Sequence, residues 1–224
     1  MSVDDRLLRR ARLGRREFVR ALGAAPALAL LGPRAAHGQA PGQVRDVRGD
    51  VRINGTAATR ASAIRAGDTV VTGRDGYFVF VVGQDAFMLR GGSELRLERG
   101  TSGALVEALR LVTGAVGAVF ARGRALMIHA PTVTAGIRGT GVYLEARIAG
   151  TYFCTCYGAV TLAAADDPAQ RELIVSGRHT ARAVSPPGAP GGRFAPAPFE
   201  GHTDAEMDML ERAVGRRSPL VPTR

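Results

Sequence analysis

An all-β fold is predicted by three features of the chain between Val44 and about Val184. Short β-branched and apolar runs follow one another at spacings of about 8 to 12 residues. Glycine-centred turns separate these runs, and no stretch of that region sustains a 3.6-residue apolar period. Such spacing is typical of a two-sheet sandwich or a small barrel.

Gly42 to Ile53 alternates apolar and polar residues and ends in Asn54-Gly55, two residues that tolerate the positive φ of a type I′ hairpin turn. Gly67-Asp68 leads into Thr69-Val70-Val71-Thr72, and Asp75-Gly76 turns the chain into Tyr77 to Val82. Both pairs are read as turns; the ladder of acidic ligands that a calcium site needs is missing. Tyr77 to Val82 is apolar at odd and even positions alike, so it is expected in the middle of a sheet covered on both faces. Phe87 to Leu89, Ser93 to Leu97, Leu105 to Val112, Ala115 to Phe120, Leu126 to His129, Thr140 to Ala146, Tyr152 to Leu162, Leu173 to Val175 and Arg178 to Val184 continue the pattern. Pro186 to Pro198 is rich in Pro and Gly and reads as a loop. Thr203-Asp204-Ala205-Glu206 is a capping box, followed by Met207, Leu210 and Val214 on one helical face and by Gly215 at a C′ position. The expected layout is a leader over 1–40, a β domain over 41–184, a linker over 185–201, and a helix with its tail over 202–224.

The leader has the order of a bacterial export signal: Arg15-Arg16-Glu17-Phe18-Val19-Arg20, an apolar run of 11 residues from Ala21 to Leu31, then Ala35-Ala36-His37-Gly38-Gln39-Ala40. An apolar run of that length is too short to span a bilayer, which needs about 20 residues. Arg15, Arg16 and Phe18 fit the twin-arginine subtype, which carries proteins that fold before transport. Cleavage is expected near residues 38–40, leaving a periplasmic protein without a transmembrane helix. No cysteine stands near the cleavage zone to carry a lipid.

All 30 basic side chains are arginines, and the formal net charge is +10. Residues 1–40 hold eight of those arginines and three of the 20 acidic residues, so the remainder carries only +5. Its arginines are scattered along the expected strands instead of being gathered with aromatics, which argues against a nucleic-acid partner.

Several motifs recur in a fixed order. They are Val47-Arg48-Gly49-Asp50-Val51-Arg52-Ile53-Asn54-Gly55, then Ile64-Arg65-Ala66-Gly67-Asp68-Thr69-Val70-Val71-Thr72-Gly73-Arg74-Asp75-Gly76, Ser93-Glu94-Leu95-Arg96-Leu97, Gly114-Ala115-Val116, and Ala130-Pro131-Thr132-Val133-Thr134-Ala135-Gly136-Ile137-Arg138-Gly139-Thr140. With them the segment from Val44 to about Val160 resembles the FecR family domain of bacterial envelope proteins. That resemblance implies a jelly-roll-like sandwich on the periplasmic side, acting on an envelope protein or a small ligand. The best-known members relay siderophore-receptor signals to a sigma factor through a transmembrane helix and a cytoplasmic segment. Neither is expected here after signal removal, so the resemblance implies a non-enzymatic binding, sensing or scaffold module.

Arg138-Gly139-Thr140 closes the sharpest of these motifs. Arg138 is a candidate for binding an anion, while Gly136 and Gly139 read as the flexible positions of a tight connection between strands.

The two cysteines of the chain, Cys154 and Cys156, stand two apart on one expected strand, so both thiols share a face. Their Cα atoms would be roughly 6.6 Å apart, near the upper limit for a disulfide. Two thiolates at this spacing can converge on a metal instead, and His179 and His202 follow them in the sequence. Cys154, Cys156, His179 and His202 have the donor count of a tetrahedral site for one zinc or iron ion. The Cys-x-Cys spacing is shorter than that of common zinc motifs and matches neither haem attachment nor the usual iron–sulfur runs. The other reading makes the cysteines small core residues beside Phe153 and Tyr157, His179 a surface strand residue, and His202 a staple against Met207. An alternative function follows from the first reading: a periplasmic protein carrying a metal or redox cofactor. No nucleophile elbow or phosphate-binding loop is present, which argues against an enzyme.

Overall fold

The computed structural model of the protein describes residues 40–101, 106–123 and 125–221. The proposed signal residues Arg15, Arg16 and Phe18 lie outside them. Fifteen strands and one helix are formed among the described residues. In chain order they are β1 (Gly42–Arg48), β2 (Val51–Ile53), β3 (Thr56–Ala57), β4 (Ala63–Ile64), β5 (Thr69–Thr72), β6 (Tyr77–Val82), β7 (Asp85–Leu89) and β8 (Glu94–Arg99). Then come β9 (Val106–Val119), β10 (Ala125–His129), β11 (Val133–Arg147), β12 (Gly150–Ala164), β13 (Arg171–Ser176), β14 (Thr180–Val184), β15 (Phe194–Ala197) and α1 (Asp204–Ala213).

The strands form one continuous hydrogen-bonded network, and three long strands fold it into two layers. The first half of β9 pairs with β8 and β10, whereas its second half pairs with β7 and β11. β11 changes neighbours in the same way, from β10 to β9. β12 pairs with β14 through Thr151–Thr155 and with β13 through Gly158–Ala163. One sheet therefore runs β3-β2-β5-β8-β9-β10-β11-β12-β13 and the other β4-β1-β6-β7-β9-β11-β12-β14-β15. Strands that switch sheets through bends form the corners of such a sandwich.

In β12 the bend falls at Gly158, with φ +92°, where a Cβ would lie 2.5 Å from Thr140 Cγ2. Only glycine fits there without moving the neighbouring strand.

Each face of the second sheet has its own apolar cluster. Phe78, Phe80, Val82, Phe87, Leu89, Val142, Leu144 and Phe153 point inward, against residues of the first sheet such as Leu95, Leu109, Ile137 and Val160. Four phenylalanines form a chain of ring contacts there, Phe78–Phe80 at 5.3 Å, Phe80–Phe87 at 4.9 Å and Phe87–Phe120 at 5.8 Å. Each such buried ring contributes up to about 3 kcal/mol. The intervening residues Val79, Val81, Ala86, Met88, Tyr143, Tyr152, Cys154 and Cys156 point outward and are covered by Met207 and Leu210 of α1 and by Leu220. The period-2 alternation of a strand assigns residues to these faces, and the helix is what makes β6 apolar on both.

The hairpin expected at Asn54-Gly55 joins β2 and β3, with φ values of 50° and 81° at the two turn residues. The helix begins with the expected capping box: Thr203 accepts from the Glu206 amide, and the Glu206 carboxylate accepts from the Thr203 amide. It ends in a Schellman motif, in which Gly215 N–H donates to Arg212 O and Arg216 N–H to Glu211 O.

Two local expectations are corrected. Pro186 to Pro198 is not all loop, because β15 pairs with β14 along the edge of the second sheet. An edge tolerates Pro196, whose missing N–H leaves no ladder bond unmade there. Arg138-Gly139-Thr140 is not a connection between strands either. It lies inside β11, where the register shifts between Arg138 and Gly141. Gly139, with φ +63°, serves a bulge at the sheet-switching point, whereas Gly136 is regularly paired, so a motif that reads as a turn is extended backbone on both sides. Arg138 is exposed on that strand and Thr140 is buried. No described helix is long and apolar enough to cross a membrane.

Candidate metal centre

Cys154 and Cys156 lie on the outer face of β12, with Tyr143 of β11 and Ala181 of β14 as the cross-strand neighbours of Cys154. Both thiols are free and fully buried. His179 immediately precedes β14, and its amide donates to Cys156 O at 2.9 Å. Its φ of 44° is left-handed, which turns the ring toward the cysteines. A non-glycine residue holds that conformation at a cost of roughly 1–2 kcal/mol.

His202 arrives from the other side, on the segment between β15 and α1. Tyr152 pins that segment: its hydroxyl donates to Pro198 O at 3.0 Å and accepts from the Glu200 amide at 3.1 Å. Arg90 holds it again, donating to Gly201 O at 2.8 Å and pairing with Glu206 at 2.8 Å. Gly201 has φ +79°, and a Cβ there would come within 2.6 Å of the Tyr143 ring. That close approach lets the His202 ring stack on Tyr143 with centroids 4.5 Å apart.

The four donor atoms converge within 4.8 Å of one another. His179 Nδ1 is 3.7 Å from Cys154 Sγ, and His202 Nε2 is 3.1 Å from Cys156 Sγ. Zn–S and Zn–N bond lengths in a regular tetrahedron require S···N edges of about 3.5 Å, between those two values. The far nitrogen of each ring is already engaged. His179 Nε2 donates to the Asp204 carboxylate at 2.5 Å, and His202 Nδ1 donates to Glu200 O at 3.0 Å. With an acceptor holding a proton on each far nitrogen, the near nitrogen can give up its own proton and offer a lone pair to a metal. Asp204, the first residue of α1, is also paired with Arg178. Phe199 closes the outside, its ring 4.0 Å from that of His179 and 4.8 Å from that of His202.

The two thiols titrate differently. A hydrogen bond from Cys156 draws the Cys154 thiol down to about 5, with His202 and His179 adding to the pull against the opposing effect of burial. Burial pushes Cys156 well above its ordinary value, and the neighbouring thiolate adds to this. The pocket thus favours one thiolate and one thiol, and a bound dication would displace the remaining proton.

All four residues singled out in the sequence meet in this cluster. Sequence reasoning missed the groups that orient them. Asp204 reads as a helix N-terminal acid, and Tyr143, Tyr152 and Phe199 read as ordinary aromatics. A carboxylate two residues after His202 was the one available signal.

No family model matches the chain, and no curated protein matches it. Among solved structures, two crystal structures of a candidate anti-sigma factor from Parabacteroides distasonis are similar, with TM-scores of 0.45 and 0.44 at 12% and 13% identity. Each match covers 58% of this chain and 58% of the other. A likeness of that extent carries no argument about function.

Proposed function

We propose that this chain is an exported, non-enzymatic envelope module whose sandwich and C-terminal helix are tied together by one zinc ion on Cys154, Cys156, His179 and His202. The observation that carries the reading is the convergence of four soft donors within 4.8 Å, each histidine turned by a second hydrogen bond. Two thiolates and two imidazoles in a tetrahedral arrangement favour zinc. Four protein ligands fill its coordination, so the ion acts structurally; catalytic zinc keeps a position open for water or substrate. Cys154 and Cys156 belong to β12, His179 stands immediately before β14, and His202 belongs to the segment that begins the helix. The ion therefore fastens α1 over the outer face of the second sheet. The envelope role rests on the export signal and on the ordered FecR-type motifs, and its partner is an envelope protein or a small ligand.

The test is metal analysis of protein purified from the periplasm. Close to one equivalent of zinc is expected, falling to near zero in Cys154→Ser and in Cys156→Ser. At a free zinc concentration a thousandfold above Kd, the ion contributes about 4 kcal/mol. For a domain of this size that loss corresponds to a Tm lower by about 8 to 16 °C. Metal-free protein, with cysteine variants losing only the 1 to 3 kcal/mol or so of an ordinary core change, would show that the cysteines are packing residues.

A further inference from the structure

Sheet switching opens one end of the sandwich. The bends of β11 at Gly139 and of β12 at Gly158 line it together with the residues that end β9 and β13, and residues 216–219 and Val221 after α1 complete the lining. The result is a half-open cleft of about 820 Å³. That volume lies within the range of small-molecule sites, roughly 300–1,000 Å³. Among the described residues its lining carries three guanidiniums, from Arg122, Arg216 and Arg217, and a single carboxylate, from Glu211.

The carboxylate is already committed. Glu211 is buried, accepts from the Tyr157 hydroxyl and pairs with Nε of Arg216. Arg216 also donates from Nη1 to Gln84 O at 2.6 Å. Its Nη2 is buried and has no hydrogen-bond partner among the described residues. A buried guanidinium donor without an acceptor is costly, and an anion in the cleft would satisfy it. Arg122 and Arg217 are exposed at the same cleft and add to its positive potential, while Phe120 and Val221 supply apolar wall.

We propose that this cleft binds a small organic anion with an apolar body, its acidic group held by Arg216, Arg122 and Arg217 and its body against Phe120. The site is separate from the Cys/His cluster and requires no metal. Low-dielectric walls around one sign of charge favour a carboxylate, sulfonate or phosphate ester over a neutral molecule of the same shape.

The experiment uses the purified full chain with the fluorescent probe anilinonaphthalene sulfonate. Saturable binding at one site is expected, displaced by octanoate and not by octanamide, and weakened by added salt. Replacing the exposed pair together, Arg122→Gln with Arg217→Gln, should weaken probe binding by about tenfold or more, as expected when charge-assisted hydrogen bonds are lost. Circular dichroism and Tm should stay unchanged. Non-saturating binding, equal displacement by octanamide, or an affinity within about twofold of the parent in the double variant would overturn the assignment. The octanoate–octanamide comparison needs no variant and decides the charge requirement by itself.

Discussion

The carboxylate of Asp204 lies 2.5 Å from Nε2 of His179, and this one contact fixes which nitrogen of the ring faces Cys154. It joins the first turn of α1 to the strand edge, and an acid at that position also interacts favourably with the helix N-terminus. Asp204→Asn keeps the shape and removes the charge. Zinc affinity, measured by competition with a chromogenic chelator, should fall by about 10- to 100-fold, as is usual for carboxylates behind metal-bound histidines. An unchanged affinity would mean that the ring is oriented by its packing against Phe199 instead.

His179 combines a ligand role with a left-handed backbone, and two substitutions separate them. Asn tolerates positive φ, so His179→Asn should lose metal and only the stability the metal supplies. A β-branched side chain does not, so His179→Val should cost a further 1–2 kcal/mol or so in denaturant unfolding. Equal stability of the two variants would show that the loop relaxes out of this conformation.

All four tyrosines resist ionisation. Burial is the first cause at Tyr77, Tyr143, Tyr152 and Tyr157, and each phenol is raised above its ordinary value. At Tyr157 the hydrogen bond to Glu211 adds to it. A raised folded-state value favours the protonated form, so this stabilisation is complete below the unfolded phenol value near 10 and declines as pH rises above it. Phenolate absorbance should therefore appear above pH 10 in step with loss of the far-ultraviolet strand signal. A smooth titration centred near 10 in protein that remains folded would contradict this.

Export is tested at the leader. Arg15→Lys with Arg16→Lys preserves charge but not the pair that the twin-arginine machinery reads. Precursor should accumulate in the cytoplasm. Undiminished secretion would leave the general secretory route as the explanation.

Local signals in the sequence were legible because they depend on neighbouring residues. Asn54-Gly55, the Thr203–Glu206 capping box and the doubly apolar run Tyr77 to Val82 each appear in the structure in the form their chemistry requires. The Cys/His set was legible for a similar reason, since two cysteines of period two must share a face. What stayed hidden depends on position in the whole fold. Period-2 alternation assigns a residue to a face but cannot say that β9, β11 and β12 serve two sheets. For that reason the bulge at Gly139 looked like a turn. β15 was masked by Pro196, which is acceptable only because that strand is an edge. The anion cleft stayed hidden because its walls come from strands bent at Gly139 and Gly158, from the ends of β9 and β13, and from the segment after α1, which only the whole fold brings together.

The cover on the second sheet comes later in the sequence than every strand it protects. His202 lies 46 residues beyond Cys156, and Met207 and Leu210 follow it. During synthesis, which proceeds at about 5–20 residues per second, Val79, Met88 and Tyr143 leave the ribosome well before the segment that will bury them. Until that segment docks, the growing chain presents a sticky face to chaperones and to other copies of itself. Quality control of this protein should therefore hinge on residues 199–221. A chain terminated before Phe199 would keep its phenylalanine core and its fifteen strands, yet be recovered chiefly in aggregates.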